Sequence, residues 1–274
     1  GNNDAYVQFL RSRGFFDYDP EGEWDQTEVI LRMLPDKLPW DCLKVNWTGD
    51  TACSMMDGFA EKDEPFFLFC SFVEPHTHGS VQSEFREKFS DIPVPPAIER
   101  ENELENKPAV QRAFAEQIRQ RGGGKRRDPV AYRRGVYASV NLVDQNIGKV
   151  LDKLDELNLA DDTLIVFTSD HGDLMGDHGL YEKTFLYEGA INVPMIVKTP
   201  KDGGGKRRDH LVSHIDLLPT ILDVCGIDEW RELPIEGRSM VPLLENPGAK
   251  WRDTVYCEVG QTHCRSYDSS MLKM

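Results

Sequence analysis

Residues 163–198 constrain the fold of this chain more than any other stretch. They run from a short apolar segment, Leu164-Ile165-Val166-Phe167, through Thr168-Ser169-Asp170-His171-Gly172 into a glycine-containing loop with Lys183. They leave it by a second apolar segment, Val193-Pro194-Met195-Ile196-Val197. Continuous apolar runs of β-branched and aromatic residues suit strands covered on both faces, as in a parallel sheet. On this reading Asp170 and His171 stand just past the carboxyl end of a strand, where open α/β sheets place their chemistry.

The sequence before this stretch supports the same class. Asp128 followed by Pro129 is a helix start, an N-cap with proline at the first helical position. From there Val136, Val140, Val143, Ile147, Val150, Leu154 and Leu157 recur at spacings of three and four, a stripe expected to face a sheet. The helix then feeds through residues 160–162 into the first strand, a helix-to-strand unit of parallel-sheet type. A third apolar run, residues 65–73, reads as another buried strand and ends in Glu74-Pro75-His76-Thr77-His78. Helices are expected at residues 4–13, stopped by Gly14, near residues 27–34, at 51–60 and at 109–121. A last short strand is expected at 254–258. Residues 80–108, with Pro93, Pro95, Pro96 and Pro108, read as a long loop of the sort that lines sites.

Charge narrows the partners. Forty-seven acidic and 32 basic side chains leave a net charge of −15, which disfavours a general nucleic-acid or anionic-membrane binder. No stretch approaches the roughly 20 apolar residues that cross a bilayer as a helix. The six cysteines form no Cys-x-x-Cys pair and read as buried free thiols, with Cys70 and Cys257 inside strands. Asn46-Trp47-Thr48 is a glycosylation sequon by pattern. Gly-Gly-Gly-Lys-Arg-Arg-Asp occurs twice, at 122–128 and 203–209, and reads as two solvated loops.

Asp170 and His171 pair a carboxylate with an imidazole, donor types that suit calcium, manganese or magnesium. The same Asp-His-Gly also reads as a plain turn in which Asp170 accepts backbone hydrogens. Lys183 is by default a surface lysine, and His76 a hydrogen-bonded strand-end histidine. Asp177 and His178, in Gly176-Asp177-His178-Gly179, either shape the mouth of a site or cap the loop. Asp216 reads as a helix N-cap, and His210, His214 and His263 carry no pattern.

Taken together, these motifs resemble the sulfatase family of the alkaline phosphatase superfamily. The likeness spans Ser169-Asp170-His171-Gly172, Lys183, Tyr187-Glu188 and Val193-Pro194. It continues in the apolar run at 65–68 followed by Pro75-His76, in Asp216-Leu217-Leu218-Pro219-Thr220, in Gly237-Arg238-Ser239 and in Pro242-Leu243-Leu244. The resemblance implies an αβα sandwich with a mainly parallel sheet, incomplete at both ends. It divides the chain into a partial catalytic domain at 1–252 and the start of a C-terminal subdomain at 253–274. It also implies a metal-dependent sulfuric ester hydrolase acting on a small-molecule or saccharide sulfate ester. Asp170 and His171 would bind one divalent cation, calcium first, with manganese or magnesium as alternatives. Lys183 would hold sulfate oxygens and His76 would contact the sulfate or leaving oxygen.

The family's nucleophile is a formylglycine made from Cys or Ser in a Cys/Ser-x-Pro-x-Arg motif. None of the 16 prolines here has Cys, Ser or Thr two residues before it. The nucleophile is therefore expected in a segment N-terminal to this sequence, and the isolated chain is expected to be inactive. A phosphonate monoester or phosphodiester hydrolase of the same superfamily, or a non-catalytic truncated relative, are the competing readings.

Overall fold

A computed structural model describes residues 5–15, 35–62, 64–76, 81–121, 128–183, 185–200 and 204–258. The chain forms two compact units, Gly1–Ala160 with Met175–Leu180, and Asp161–Leu174 with Tyr181–Met274. The expected helix near residues 27–34, residues 122–127 of the first glycine-basic segment, His78, His263 and Cys264 lie outside the described residues; residues 204–209 of the second segment are irregular and mostly exposed, as expected of a solvated loop, with Arg208 donating to the Leu243 and Leu244 carbonyls.

The first unit is helical. Its helices are α1 (Ala5–Ser12), α2 (Lys44–Ala60), α3 (Ser83–Glu87), α4 (Ala109–Arg121) and α5 (Pro129–Glu156). Helix α1 is stopped by Gly14, whose φ of 79° lies in the left-handed region that glycine occupies without penalty. Its Tyr6 and Leu10 enter a core with Leu38, Cys42, Leu43, Val45, Val81, Phe85, Ala138 and Leu142. The Tyr6 hydroxyl donates to the Cys42 carbonyl at 2.7 Å, so the ring packs without stranding its polar end. Asp128 caps α5 as expected, accepting from the Val130 amide at 2.9 Å.

Two helical expectations need correction. Helix α2 starts at Lys44, seven residues before the expected Thr51, because Asn46 and Gly49, poor helix formers in isolation, are used for packing. A Cβ at Gly49 would stand 2.6 Å from Asn146 Oδ1, so only glycine lets α5 come this close. Asn146 Nδ2 donates to Asn46 Oδ1 at 2.7 Å, and Asn46 Nδ2 to the Trp40 carbonyl at 2.6 Å. The sequon asparagine is thus buried and its amide engaged, unavailable to a glycan in the folded chain. The second correction concerns the buried face of α5. It carries Tyr132, Gly135, Ala138, Ser139, Leu142 and Asn146 beside Val136 and Leu154 of the expected stripe, and α5 packs on α2, whereas Val140 of the stripe is 47% exposed. Small residues and an amide join part of the stripe on the buried face.

Residues 65–73 pair in no sheet among the described residues. Phe67 is 72% and Phe69 80% exposed, while Phe66, Leu68, Cys70 and Phe72 are half-buried. The alternation is that of a strand with one face covered, where the continuous apolar run had suggested two.

In the second unit, β1 (Ile165–Thr168) and β2 (Met195–Lys198) pair with Ile165 opposite Lys198 and Thr168 opposite Met195. This pair is antiparallel, whereas the apolar run had suggested a parallel neighbour; periodicity reports burial and says nothing of a partner's direction. Ile196 is 62% exposed, so the second face expected to be covered is open here. Helices α6 (Glu188–Ile191), α7 (Leu217–Val224) and α8 (Val241–Glu245) complete the unit. Asp216, wholly buried, accepts from the amides of Ser213 at 2.9 Å and Arg238 at 2.8 Å and from Arg252 Nη2 at 2.5 Å. It caps backwards onto Ser213 instead of forwards into α7. Residues 254–258 form no strand, and Cys257 is exposed there, as is Cys225; Cys42 alone of the described thiols is fully buried. No helix among the described residues is long and apolar enough to cross a membrane.

Candidate active site

The turn that leaves β1 is built by its own short side chains. The Ser169 hydroxyl donates to the His171 carbonyl at 2.8 Å, and the His171 amide donates to Asp170 Oδ1 at 2.9 Å. These bonds close the chain on itself and leave the Asp170 side chain exposed and that of His171 half-buried. His171 Nδ1 lies 2.8 Å from the Gly172 carbonyl, so Nδ1 carries the proton and Nε2 presents its lone pair. That Nε2 stands 3.4 Å from Asp170 Oδ2. A carboxylate and an imidazole acceptor thus face each other across the turn.

Gly172 explains the third position of the motif. A Cβ there would meet the Gly189 carbonyl oxygen at 2.1 Å, and its amide donates to the Ala190 carbonyl at 2.8 Å. The turn is thereby seated against α6, and no larger residue fits. Further along, the Leu174 amide donates to the Glu182 carbonyl at 2.9 Å and the Glu182 amide to Asp173 Oδ1 at 3.1 Å. These bonds join the two ends of the loop, so half-buried Lys183 is one residue from a backbone pinned to Asp173 and Leu174.

The loop tip belongs to the first unit. Arg133, 4% exposed on α5, donates from Nε to the Met175 carbonyl at 3.1 Å and from Nη1 to those of Pro95 and Pro96 at 2.6 and 3.0 Å. Its Nη2 meets Asp177 Oδ1 at 2.5 Å, and the same oxygen accepts from the Ile98 amide at 2.7 Å. His178, at a φ of 57°, places Nδ1 3.3 Å from Glu103 Oε2. Of the two readings open for Asp177 and His178, loop capping is the one these contacts serve. His178 also lines an open cavity of about 380 Å³ with Glu99, Asn102, Glu103 and Glu105.

His76 lies in the first unit, exposed, at the end of the extended run, and its amide donates to the Val73 carbonyl at 3.0 Å. Glu74 beside it is buried, with one carboxylate oxygen lacking a hydrogen-bond partner. Asp170, His171 and Lys183 belong to the second unit and His76 to the first. Among the described residues no group of three or more His, Cys, Asp or Glu side chains is arranged to hold a metal ion.

One residue near the turn had no sequence signal. His214 Nε2 lies 3.3 Å from the Thr168 hydroxyl at the end of β1. The partners are 46 residues apart, and no local pattern marks the contact.

The family model described as Sulfatase matches residues 25–227. An uncharacterized sulfatase of Escherichia coli (strain K12), YidJ, is 34% identical over 193 residues, 69% of this chain and 37% of its own length. N-acetylglucosamine-6-O-sulfatase of Bacteroides thetaiotaomicron is 39% identical over 129 residues, 46% of this chain and 23% of its own. Among solved structures, the phosphonate monoester hydrolase of Agrobacterium radiobacter superposes with a TM-score of 0.70 at 26% identity, covering 90% of this chain and 52% of that one. The chain therefore spans well under half the length of these curated relatives.

Proposed function

This chain belongs to the sulfatase family, with the α/β fold of the alkaline phosphatase superfamily, and we propose that it forms the ligand-holding side of a site that hydrolyses sulfate esters. The observation that carries the reading is the Asp170–His171 turn, whose carboxylate and imidazole acceptors face each other at 3.4 Å. Donors held about 2.3 Å from one ion in adjacent positions stand about 3 Å apart, so the pair fits two ligands of a single divalent cation. The Nδ1–H to carbonyl bond supports it further, since ligating histidines are oriented by such a bond.

A divalent cation bound there would withdraw charge from the ester oxygens and favour an anionic nucleophile. Calcium is our first assignment; an imidazole ligand also suits manganese, and magnesium is the third choice. Lys183 would hold a non-reacting sulfate oxygen with its ammonium, a donor whose value grows as charge builds in the transition state. His76 is our candidate for contact with the sulfate or the leaving oxygen. The family's formylglycine precursor motif is absent from these residues, so the nucleophile is assigned to sequence beyond them.

Similarity to N-acetylglucosamine-6-O-sulfatase supports a sulfated saccharide as the substrate class. The structural likeness to a phosphonate monoester hydrolase supports a second reading, hydrolysis of phosphonate monoesters or phosphodiesters. The test is to express the open reading frame that encodes this chain together with a formylglycine-generating activity. Aryl sulfate should be hydrolysed in preference to an aryl phosphonate monoester, with a loss of about 10²–10³ in kcat on Lys183→Ala. Preference for the phosphonate would favour the second reading. Absence of turnover on either, with a cation present, would favour a non-catalytic relative.

A further inference from the structure

We propose that His214 is a positioning residue for the Asp170–His171 turn, acting through Thr168. The inference rests on the reading of that turn as a cation-holding element. Thr168 is the last residue of β1, two positions before Asp170. Its hydroxyl has one proton and two lone pairs. The proton goes to the Pro194 carbonyl at 2.9 Å, better placed than the Ser169 carbonyl at 3.4 Å. A lone pair is left to face His214 Nε2 at 3.3 Å, so the ring donates from Nε2. The relay from His214 through Thr168 to Pro194 joins three segments at the level where the functional turn leaves the sheet.

His214 is itself held. It opens the turn His214–Asp216, which the Ser213 amide closes by donating to Asp216 Oδ2 at 2.9 Å. Asp216 is anchored in turn by the Arg238 amide and the Arg252 guanidinium, and is fully buried. A fixed frame holds the ring, and the ring fixes the lone-pair direction of the threonine. Without the imidazole the Thr168 hydroxyl can swing towards the Ser169 carbonyl, releasing Pro194 and loosening the residues that carry Asp170 and His171.

The test uses the whole chain with His214→Ala, His214→Gln, Thr168→Val and the double variant His214→Ala/Thr168→Val. Two quantities are read: hydrogen exchange of the amides at residues 169–172, and Mn²⁺ affinity by the EPR signal of free ion. Outer-sphere partners of ligands are worth about tenfold or more in metal affinity, so His214→Ala and Thr168→Val should each weaken Mn²⁺ by about tenfold. Both should speed local exchange. The double variant should be no worse than Thr168→Val alone, and His214→Gln, whose amide nitrogen donates from the same place, should restore both readouts. Unchanged exchange in His214→Ala, or fully additive losses in the double variant, would overturn the proposal. Faster exchange in His214→Ala with no Mn²⁺ binding by the unsubstituted chain would support the positioning role and remove the cation reading.

Discussion

Glu74 and Gly172 each hold a single-residue consequence of the packing. Burial pushes the Glu74 carboxyl above its ordinary value, against weaker downward pulls from its own amide and from Lys44. A raised acid pKa means that the folded chain keeps a proton the unfolded chain has already released. Stability therefore falls as pH rises from about the ordinary value of 4.5 through the raised one, and stays lower above it. Glu74→Gln should raise stability at pH 7 by about 1–2 kcal/mol and by little at pH 4.5, read from urea melts at both. Equal effects at the two pH values would place the cause elsewhere. For Gly172→Ala the added methyl would meet a backbone carbonyl 2.1 Å away, a neighbour that cannot rotate aside. A loss of about 1–3 kcal/mol is expected, together with weaker cation binding because the turn must shift. Thermal melts and a Mn²⁺ titration on one sample check both.

At the scale of elements, the Arg133 clamp and the extended run 65–73 make opposite demands. Arg133→Met would leave the Asp177 carboxylate and three carbonyls without their donor, at a cost of about 3–5 kcal/mol. Asp177→Asn alone should cost less, and the pair should couple strongly in a double-mutant cycle by urea denaturation. Phe67 and Phe69 stand exposed on an extended segment, an arrangement that invites edge-to-edge association. Phe67→Lys with Phe69→Glu should raise the solubility limit of the isolated chain, measured by light scattering, with little change in its melting temperature.

These same elements mark what could be read in the sequence. Asp128-Pro129 announced α5 because a cap is local chemistry. The helix α2 was read short because Asn46 and Gly49 look like breakers until Asn146, a hundred residues on, is seen filling the gap. The apolar stripe of α5 marks only part of its buried face, because small residues such as Gly135, Ala138 and Ser139 are invisible to hydrophobic periodicity. The candidate turn stands out as a motif because Ser169, Asp170 and Gly172 each shape the backbone locally. His214 does not, since its partner lies in a different element and only the fold brings them together.

Across the chain, the acidic balance is compatible with the proposed site. A bound cation and Lys183 would act at contact range, while the net charge of −15 is spread and screened over about 8–10 Å in physiological salt. By itself the chain should not turn over aryl sulfate or aryl phosphonate, with or without calcium or manganese, because it offers no formylglycine precursor. Measurable turnover abolished by Lys183→Ala would show that another nucleophile serves.

Whether Asp170 and His171 hold a divalent cation is read by calorimetric titration of the chain with Ca²⁺ and Mn²⁺, beside Asp170→Ala and His171→Ala. One saturable site is expected, which either substitution weakens by at least about tenfold. No binding, or binding that both substitutions leave unchanged, would contradict it.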